Sequence, residues 1–128
     1  MSDPIKHECG IAFVRLRKPL KYYVEKYGTA FYGLNKMYLL MEKQRNRGQD
    51  GAGLANIKLN TEPGTRYISR YRSVETNSIG DIFSKVQKRI AEGVGTDHKK
   101  LKDAPWLKQN LPFTGEVYLG HLRYGTYG

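Results

Sequence analysis

The sequence has a single cysteine, Cys9, and no apolar stretch long enough to span a membrane. One cysteine excludes an intrachain disulfide framework and any four-cysteine zinc or iron–sulfur site built from this chain alone. The opening residues, MSDPIKHE, lack the apolar core of a secretory signal, and no later segment approaches about 18 consecutive apolar residues. These absences predict a cytoplasmic protein that is neither exported nor inserted into a membrane.

Acidic residues are also scarce, since 12 Asp and Glu face 22 Lys and Arg for a formal net charge of +10. Such an excess raises the question of a polyanionic partner. The basic residues are dispersed along the chain, however, and no nucleic-acid-binding motif accompanies them. The pattern favours a solvated basic surface, and a small basic nucleic-acid-binding domain stays the weaker alternative.

Periodicity predicts one domain of mixed strands and helices in these 128 residues. Residues 10–16 are β-branched and apolar enough to predict a largely buried strand, and residues 51–59 predict a second. Residues 115–124 alternate as a strand does, and residues 66–72 predict a weaker one. In the last strand, His121 and Arg123 share one face, and Leu122 and Tyr124 share the other.

Apolar residues at helical spacing predict two helices. The first begins near Phe31 and ends at Gly48, and the second follows Ser78 as its N-cap. Residues 93–112 have loop composition for most of their length. Residues 18–36 are interpreted as a surface insertion that lengthens the first helix.

Three short stretches attract notice together: CGI at residues 9–11, RNRGQDGAG at 45–53 and GHLRYGTYG at 120–128. In this order and at these separations they resemble the glutaminase domain of the class II glutamine amidotransferases, within the N-terminal nucleophile hydrolase superfamily. The RGQD-AG wording is most similar to the amidophosphoribosyltransferase branch of that family. The three motifs cover only about a fifth of the chain.

The resemblance implies an α+β fold of a particular architecture. The family fold is a four-layer αββα sandwich in which two antiparallel sheets face each other and helices cover them. Residues 1–8 are then expected to be a propeptide and residues 9–128 the N-terminal part of a truncated glutaminase domain. The chain is thus expected to supply one side of the sandwich incompletely.

The resemblance also gives Cys9 a chemical role. A thiol with a pKa of about 8.5 is only slightly ionised at neutral pH, so it reacts better beside a base. Removal of residues 1–8 would place an α-amino group, with a pKa of roughly 7.7 to 8.0, on the same residue. In the family, the sulfur attacks the side-chain amide of L-glutamine, and a thioester, ammonia and finally glutamate result. This half-reaction needs neither a metal ion nor another cofactor.

Five other residues take roles by resemblance. Arg123 binds the α-carboxylate of glutamine, which a guanidinium can meet with two parallel hydrogen bonds. Thr126 helps to hold the substrate, and Tyr124 supports the site from the aromatic position after the arginine. Arg47 braces the turn that carries the nucleophile, and Gly48 permits a close backbone approach.

Three neighbouring residues are interpreted as structural. His121 is expected to pack within its strand or form hydrogen bonds there, rather than act as a general base. Gly51 and Gly53 are expected to serve tight strand entry, because no phosphate-binding glycine motif surrounds them.

Other parts of the family's machinery have no counterpart in this sequence. The Asn-Gly pair of the oxyanion hole cannot be assigned, nor can the domain that transfers ammonia to phosphoribosyl pyrophosphate with magnesium. The chain alone is therefore expected to turn over weakly or not at all, and its oligomeric state stays open. An alternative is an inactive remnant or interaction domain of the same fold.

Overall fold

The computed structural model describes residues 9–45 and 49–124. The elements follow one another as β1 (Gly10–Arg15), α1 (Leu20–Tyr27), α2 (Tyr32–Lys43), β2 (Gln49–Ile57), β3 (Ile68–Ser73), α3 (Ser78–Val94), a 3₁₀ turn (His98–Lys102), α4 (Ala104–Asn110) and β4 (Val117–Tyr124).

The strands of the described chain form one four-stranded antiparallel sheet in the order β1-β4-β2-β3. The last strand therefore lies inside the sheet, where Leu122 is paired with Gly10 of β1 and with Ala52 of β2. Together with the helices, this arrangement confirms the predicted α+β class. The strand boundaries lie within two residues of the predicted ones, because alternation and β-branched content fix strands well here.

One face of the sheet forms the core beneath the helices. Helix α2 packs on β1 and β4, and α3 packs on β2 and β3. The alternation of each strand sends small or large apolar side chains toward the helices. The buried side chains of this layer include Ala12, Leu54, Tyr118 and Leu122 of the strands and Met37, Met41, Ile79, Ile82 and Val86 of the helices.

The opposite face of the sheet, called the open face below, leaves large apolar side chains exposed. Ile11 is 69% exposed, Phe13 59% and Leu119 47%. The prediction that β1 is largely buried is therefore wrong, because every second side chain of this strand faces away from the helices. Register places Phe13 beside Leu119 and Leu119 beside Ala55, so these residues form a continuous apolar strip across three strands. A strip of this kind on a sheet is typical of a surface that packs against a further layer.

Residues 18–36 do not simply lengthen the first predicted helix. Leu20–Tyr27 form a separate helix, α1, whose side chains Leu20, Tyr23 and Val24 are buried. Gly28 ends this helix in the left-handed region, with φ at 74°, where glycine is favoured. The ring of Tyr23 stacks on Tyr32 with centroids 5.3 Å apart, which joins α1 to α2.

Three other predicted boundaries are also wrong. Helix α2 ends at Lys43, whereas the predicted stop, Gly48, lies outside the described residues. The N-cap of α3 is Asn77, whose Oδ1 accepts a hydrogen bond from the Gly80 amide at 3.2 Å. Residues 93–112 contain the 3₁₀ turn and α4, because Asp103 caps α4 through the Trp106 amide at 3.1 Å.

Glu116, Lys108 and Lys58 form a polar cluster below the surface, called the Glu116 cluster below. Glu116 is 2% exposed and lies 2.8 Å from Lys108 Nζ. Its two carboxylate oxygens also accept hydrogen bonds from the Leu20 and Leu59 amides, at 3.1 and 2.9 Å. Burial, and next the charge of Lys108, lower the pKa of Lys58 to about 8.

Gly33 in α2 offers a test of the contact between the helix layer and the sheet. A Cβ there would lie 2.6 Å from Cε2 of Tyr118, a ring that is fully buried. Alanine gains about 1 kcal/mol of helix propensity over glycine, but overpacking a core costs typically 1–3 kcal/mol. Because the propensity gain offsets part of this cost, we expect Gly33→Ala to lower the free energy of unfolding by up to about 2 kcal/mol, measured by urea denaturation.

The matched control is Asn35→Ala, at an exposed position of the same helix. It provides the propensity gain without the clash, so its stability should equal or slightly exceed that of the parent. A Gly33→Ala protein as stable as Asn35→Ala would show that the Tyr118 ring does not limit this packing.

Candidate functional site

The sheet brings the three motif-bearing stretches to one end. Cys9 directly precedes β1, Gly51 belongs to the start of β2, and Arg123 lies near the end of β4. Because both strand pairs are antiparallel, the starts of β1 and β2 adjoin the end of β4. Residues separated by more than one hundred positions in sequence thus meet at one edge of the fold.

Cys9 and Arg123 are the chain neighbours of the residue pair that joins the start of β1 to the end of β4. Gly10 is paired with Leu122, and Cys9 precedes Gly10 whereas Arg123 follows Leu122. Leu122 is buried beneath the helices, so alternation places Arg123 on the open face. Both Cys9 and Arg123 are exposed.

A cavity of about 380 Å³ adjoins Arg123 at this end of the sheet. Its lining comprises Gly51, Ala52, Arg72, Ser73, Val74, His121 and Arg123. Gly51 is paired with Arg123, and a Cβ on it would lie only 3.0 Å from the Ser73 carbonyl oxygen. The absence of a side chain at Gly51 therefore allows β2 to approach the end of β3 closely. The lining of the cavity includes two arginines and no carboxylate.

His121 faces this same cavity instead of the core. Its side chain is exposed on the open face, and Gly53 lies beside it across the β2–β4 pairing. A Cβ on Gly53 would be 3.9 Å from His121 Nδ1, an ordinary contact distance. The predicted face that His121 shares with Arg123 is confirmed, since Leu122 between them is 1% exposed.

Gln44 supports the start of β1, a contact that the sequence analysis did not anticipate. Its Nε2 donates a hydrogen bond to the Ile11 carbonyl oxygen at 3.1 Å. Its Oε1 lies so close to Gly10 that a Cβ there would be 2.4 Å away. The sequence indicates this contact only through Gln44, a polar residue just beyond α2, and Gly10, the glycine after Cys9.

Several predicted site residues cannot be placed. Arg47, Gly48 and Thr126 lie outside the described residues, as does the side chain of Tyr124, whose backbone ends β4. Their roles stay predictions. Of the predicted site, Cys9 and Arg123 lie in the described part of the chain, at the same end of the sheet.

Comparison with protein-family models, with curated proteins and with solved structures gave no match. The assignment of a function therefore depends on the residues and on the geometry of the sheet.

Two further properties concern the described residues alone. None of the helices within residues 9–45 and 49–124 has the length and apolar content needed to cross a bilayer. In the same ranges, His, Cys, Asp and Glu side chains do not form a group of three or more that could hold a metal ion.

Proposed function

We propose that this chain carries the nucleophile-bearing part of a glutaminase site, of the kind found in class II glutamine amidotransferases and most similar to amidophosphoribosyltransferase. One observation carries the proposal: the three resembling stretches, far apart in sequence, converge at one end of the sheet, where Cys9 and Arg123 adjoin the Gly10–Leu122 pair. A thiol and a guanidinium at the same end of a sheet supply a nucleophile and a carboxylate-binding cation for attack on an amino acid's side-chain amide.

The proposed half-reaction divides the work between these residues. Arg123 holds the α-carboxylate of L-glutamine, so that the side-chain amide reaches the sulfur of Cys9. The thiol proton passes to the α-amino group freed by cleavage before Cys9, and the sulfur bonds to the amide carbon. The C–N bond then breaks as the amine returns the proton to the leaving ammonia. Water cleaves the thioester and gives glutamate.

The open face supports the proposed architecture. In an αββα sandwich, the inner face of each sheet is apolar and is covered by the other sheet. Ile11, Phe13 and Leu119 supply such an apolar surface on the side away from α2 and α3. We propose that this sheet is one of the two inner layers, and that Cys9 lies at the rim of the space between them.

The remaining functions of an amidotransferase belong to residues that we do not assign in this chain. Transfer of ammonia to phosphoribosyl pyrophosphate would require a phosphoribosyltransferase domain, which would also use the magnesium ion. The glutaminase half-reaction itself uses no metal.

Covalent labelling tests the proposal. A chain that begins at Cys9 and a chain that retains residues 1–8 are incubated with 6-diazo-5-oxo-L-norleucine, an electrophilic glutamine analogue, and the adduct is located by peptide mass mapping. We expect the chain that begins at Cys9 to be labelled at that residue at least tenfold faster, because its amine serves as the base. L-glutamine should slow the labelling.

Iodoacetamide provides the control, since it reports only the exposure and ionisation of the thiol. If both reagents label the two chains at the same relative rates and L-glutamine gives no protection, Cys9 is an ordinary exposed thiol. The interaction-domain alternative would then be preferred.

A further inference from the structure

A second cavity lies at the opposite end of the sheet from Cys9 and Arg123. It has a volume of about 180 Å³ and is called the basic pocket below. Its charged lining residues are Lys58, which follows β2, Arg66 and Arg70 near the start of β3, and Arg89 of α3. Residues 109–113, which run from the end of α4 into the following loop, complete the wall together with Ser69 and Tyr71.

The charge of this lining is entirely positive. Four of its eleven residues are Lys or Arg, and none is Asp or Glu. Within the described part of the chain, Arg66, Arg70 and Arg89 form no ion pair. Like charges gathered around one concavity repel each other, so an anion in the pocket would relieve an unfavourable arrangement.

Lys58 makes the site more than a group of surface arginines, because its side chain is only 5% exposed. Its Nζ donates hydrogen bonds to the carbonyl oxygens of Lys108, at 2.6 Å, and of Leu111. An ammonium has three donors, so one remains after these two bonds. The nearby carboxylate of Glu116 is engaged by Lys108 and does not line the pocket.

The segment of the wall that includes Leu111 and Phe113 is held by hydrogen bonds and a ring contact. Thr114 Oγ1 donates in a shared hydrogen bond to the Leu107 and Leu111 carbonyl oxygens, at 2.8 and 2.9 Å. Phe113 has a φ of 61°, uncommon for a residue with a Cβ, and its ring stacks on Tyr71 at 5.2 Å. Strained backbone that its surroundings hold in place clusters at ligand sites, where it pre-organises the binding groups.

We propose that the basic pocket binds the phosphate group of inorganic phosphate or of a small phosphate ester. Guanidinium groups bind phosphate oxygens in pairs, and a buried ammonium adds a point charge. Pockets for drug-sized ligands measure about 300–1,000 Å³, so this smaller volume suits a phosphate group with little else enclosed. An anion here would also raise the pKa of Lys58, which burial first and Lys108 next have lowered to about 8.

The site is independent of the proposed glutaminase chemistry. Lys58 follows the end of β2 at Ile57, whereas Gly51 of the cavity beside Arg123 lies near the start of that strand. Cys9→Ala should therefore leave phosphate binding unchanged, which separates a failure of this inference from a failure of the proposed function.

Isothermal titration of the full chain in chloride buffer tests the inference, with inorganic phosphate and with ribose 5-phosphate as probes. We expect saturable binding of at least one probe, and the stronger of the two identifies the source of the phosphate group. Arg66→Gln and Arg89→Gln should each weaken binding about tenfold, the value of one charge-assisted hydrogen bond. Both arginines are exposed, so the variants should fold, which circular dichroism verifies.

Arg72→Gln is the matched control. It removes the same charge from an exposed arginine of β3 that lines the other cavity, and binding should change less than twofold. The inference is overturned if neither probe binds, or if Arg72→Gln weakens binding as much as the pocket variants. It is also overturned if an oligonucleotide binds the chain and neither probe competes, since the basic surface would then serve nucleic acid.

Discussion

Glu116→Gln should lower the free energy of unfolding by about 3–5 kcal/mol, the usual effect of removing one partner of a buried ion pair. The carboxylate is 2% exposed and neutralises Lys108 at 2.8 Å. The carboxylate also accepts hydrogen bonds from the backbone amides of Leu20 and Leu59, so it connects the start of α1 to the segment that follows β2. A glutamine keeps the shape but loses the charge and one of the two acceptor oxygens.

The same substitution should show a defined pH dependence. The Glu116 carboxylate raises the pKa of Lys58, although burial outweighs it and leaves the value lowered to about 8. A lysine whose folded pKa lies below its unfolded value makes stability rise with pH between about 8 and 10.5. Without the Glu116 charge, the pKa of Lys58 falls further, so protonated Lys58 destabilises the variant more than the parent. The difference in free energy of unfolding between parent and variant should therefore be larger at pH 7 than at pH 9.

Urea denaturation followed by circular dichroism at both pH values measures these differences. The control is Glu92→Gln at an exposed position of α3, which should change stability by less than about 0.5 kcal/mol at either pH. If Glu116→Gln resembles Glu92→Gln, the cluster does not stabilise the fold.

Arg123→Gln should slow the labelling of Cys9 by 6-diazo-5-oxo-L-norleucine about ten- to a hundredfold. A hydrogen bond to a charged group contributes about 1.5–3 kcal/mol, and each 1.4 kcal/mol corresponds to a factor of ten. The loss should concern recognition only, so the rate with iodoacetamide, which has no carboxylate to be bound, should stay within twofold.

Arg15→Gln serves as the control for charge on the open face. Arg15 is exposed and paired with Val117, at the far end of β4 from Arg123. Its substitution should leave both labelling rates within twofold. Equal slowing in the two variants would mean that the arginines act only through the general positive potential, and Arg123 would lose its assignment as the carboxylate-binding residue.

Sequence patterns predicted the sheet better than the helices. Strand β4 alternates between buried and exposed positions, and this period of two is visible without tertiary information. Strand β1 was found from its apolar, β-branched composition, which gave its position but not its exposed face. Helix α1 was missed because its buried residues Leu20, Tyr23 and Val24 are separated by lysines and tyrosines that blur the apolar stripe. Helix α4 is only seven residues long, and its Asp103 cap gives little pattern before the structure is known.

Some residues of the candidate sites could be predicted from local sequence motifs, and others could not. Cys9 and Arg123 could be named from short motifs, and the register of two strands shows that they adjoin the Gly10–Leu122 pair. Gln44 and the Glu116 cluster could not be named, since each depends on contacts between distant segments that carry no local pattern. The basic pocket has the same origin, because its cations come from separate elements.

The interior position of β4 has a consequence for synthesis on the ribosome. Within the described residues, β1 pairs only with β4, and the β2–β3 hairpin has β4 as its other neighbour. Until residues 117–124 emerge, the nascent chain holds one unpaired strand and one hairpin with a bare edge, both prone to aggregation. Folding must then close a pairing between Gly10 and Leu122, a long loop that slows the reaction. We therefore expect the sheet to form only after residues 117–124 have left the ribosome.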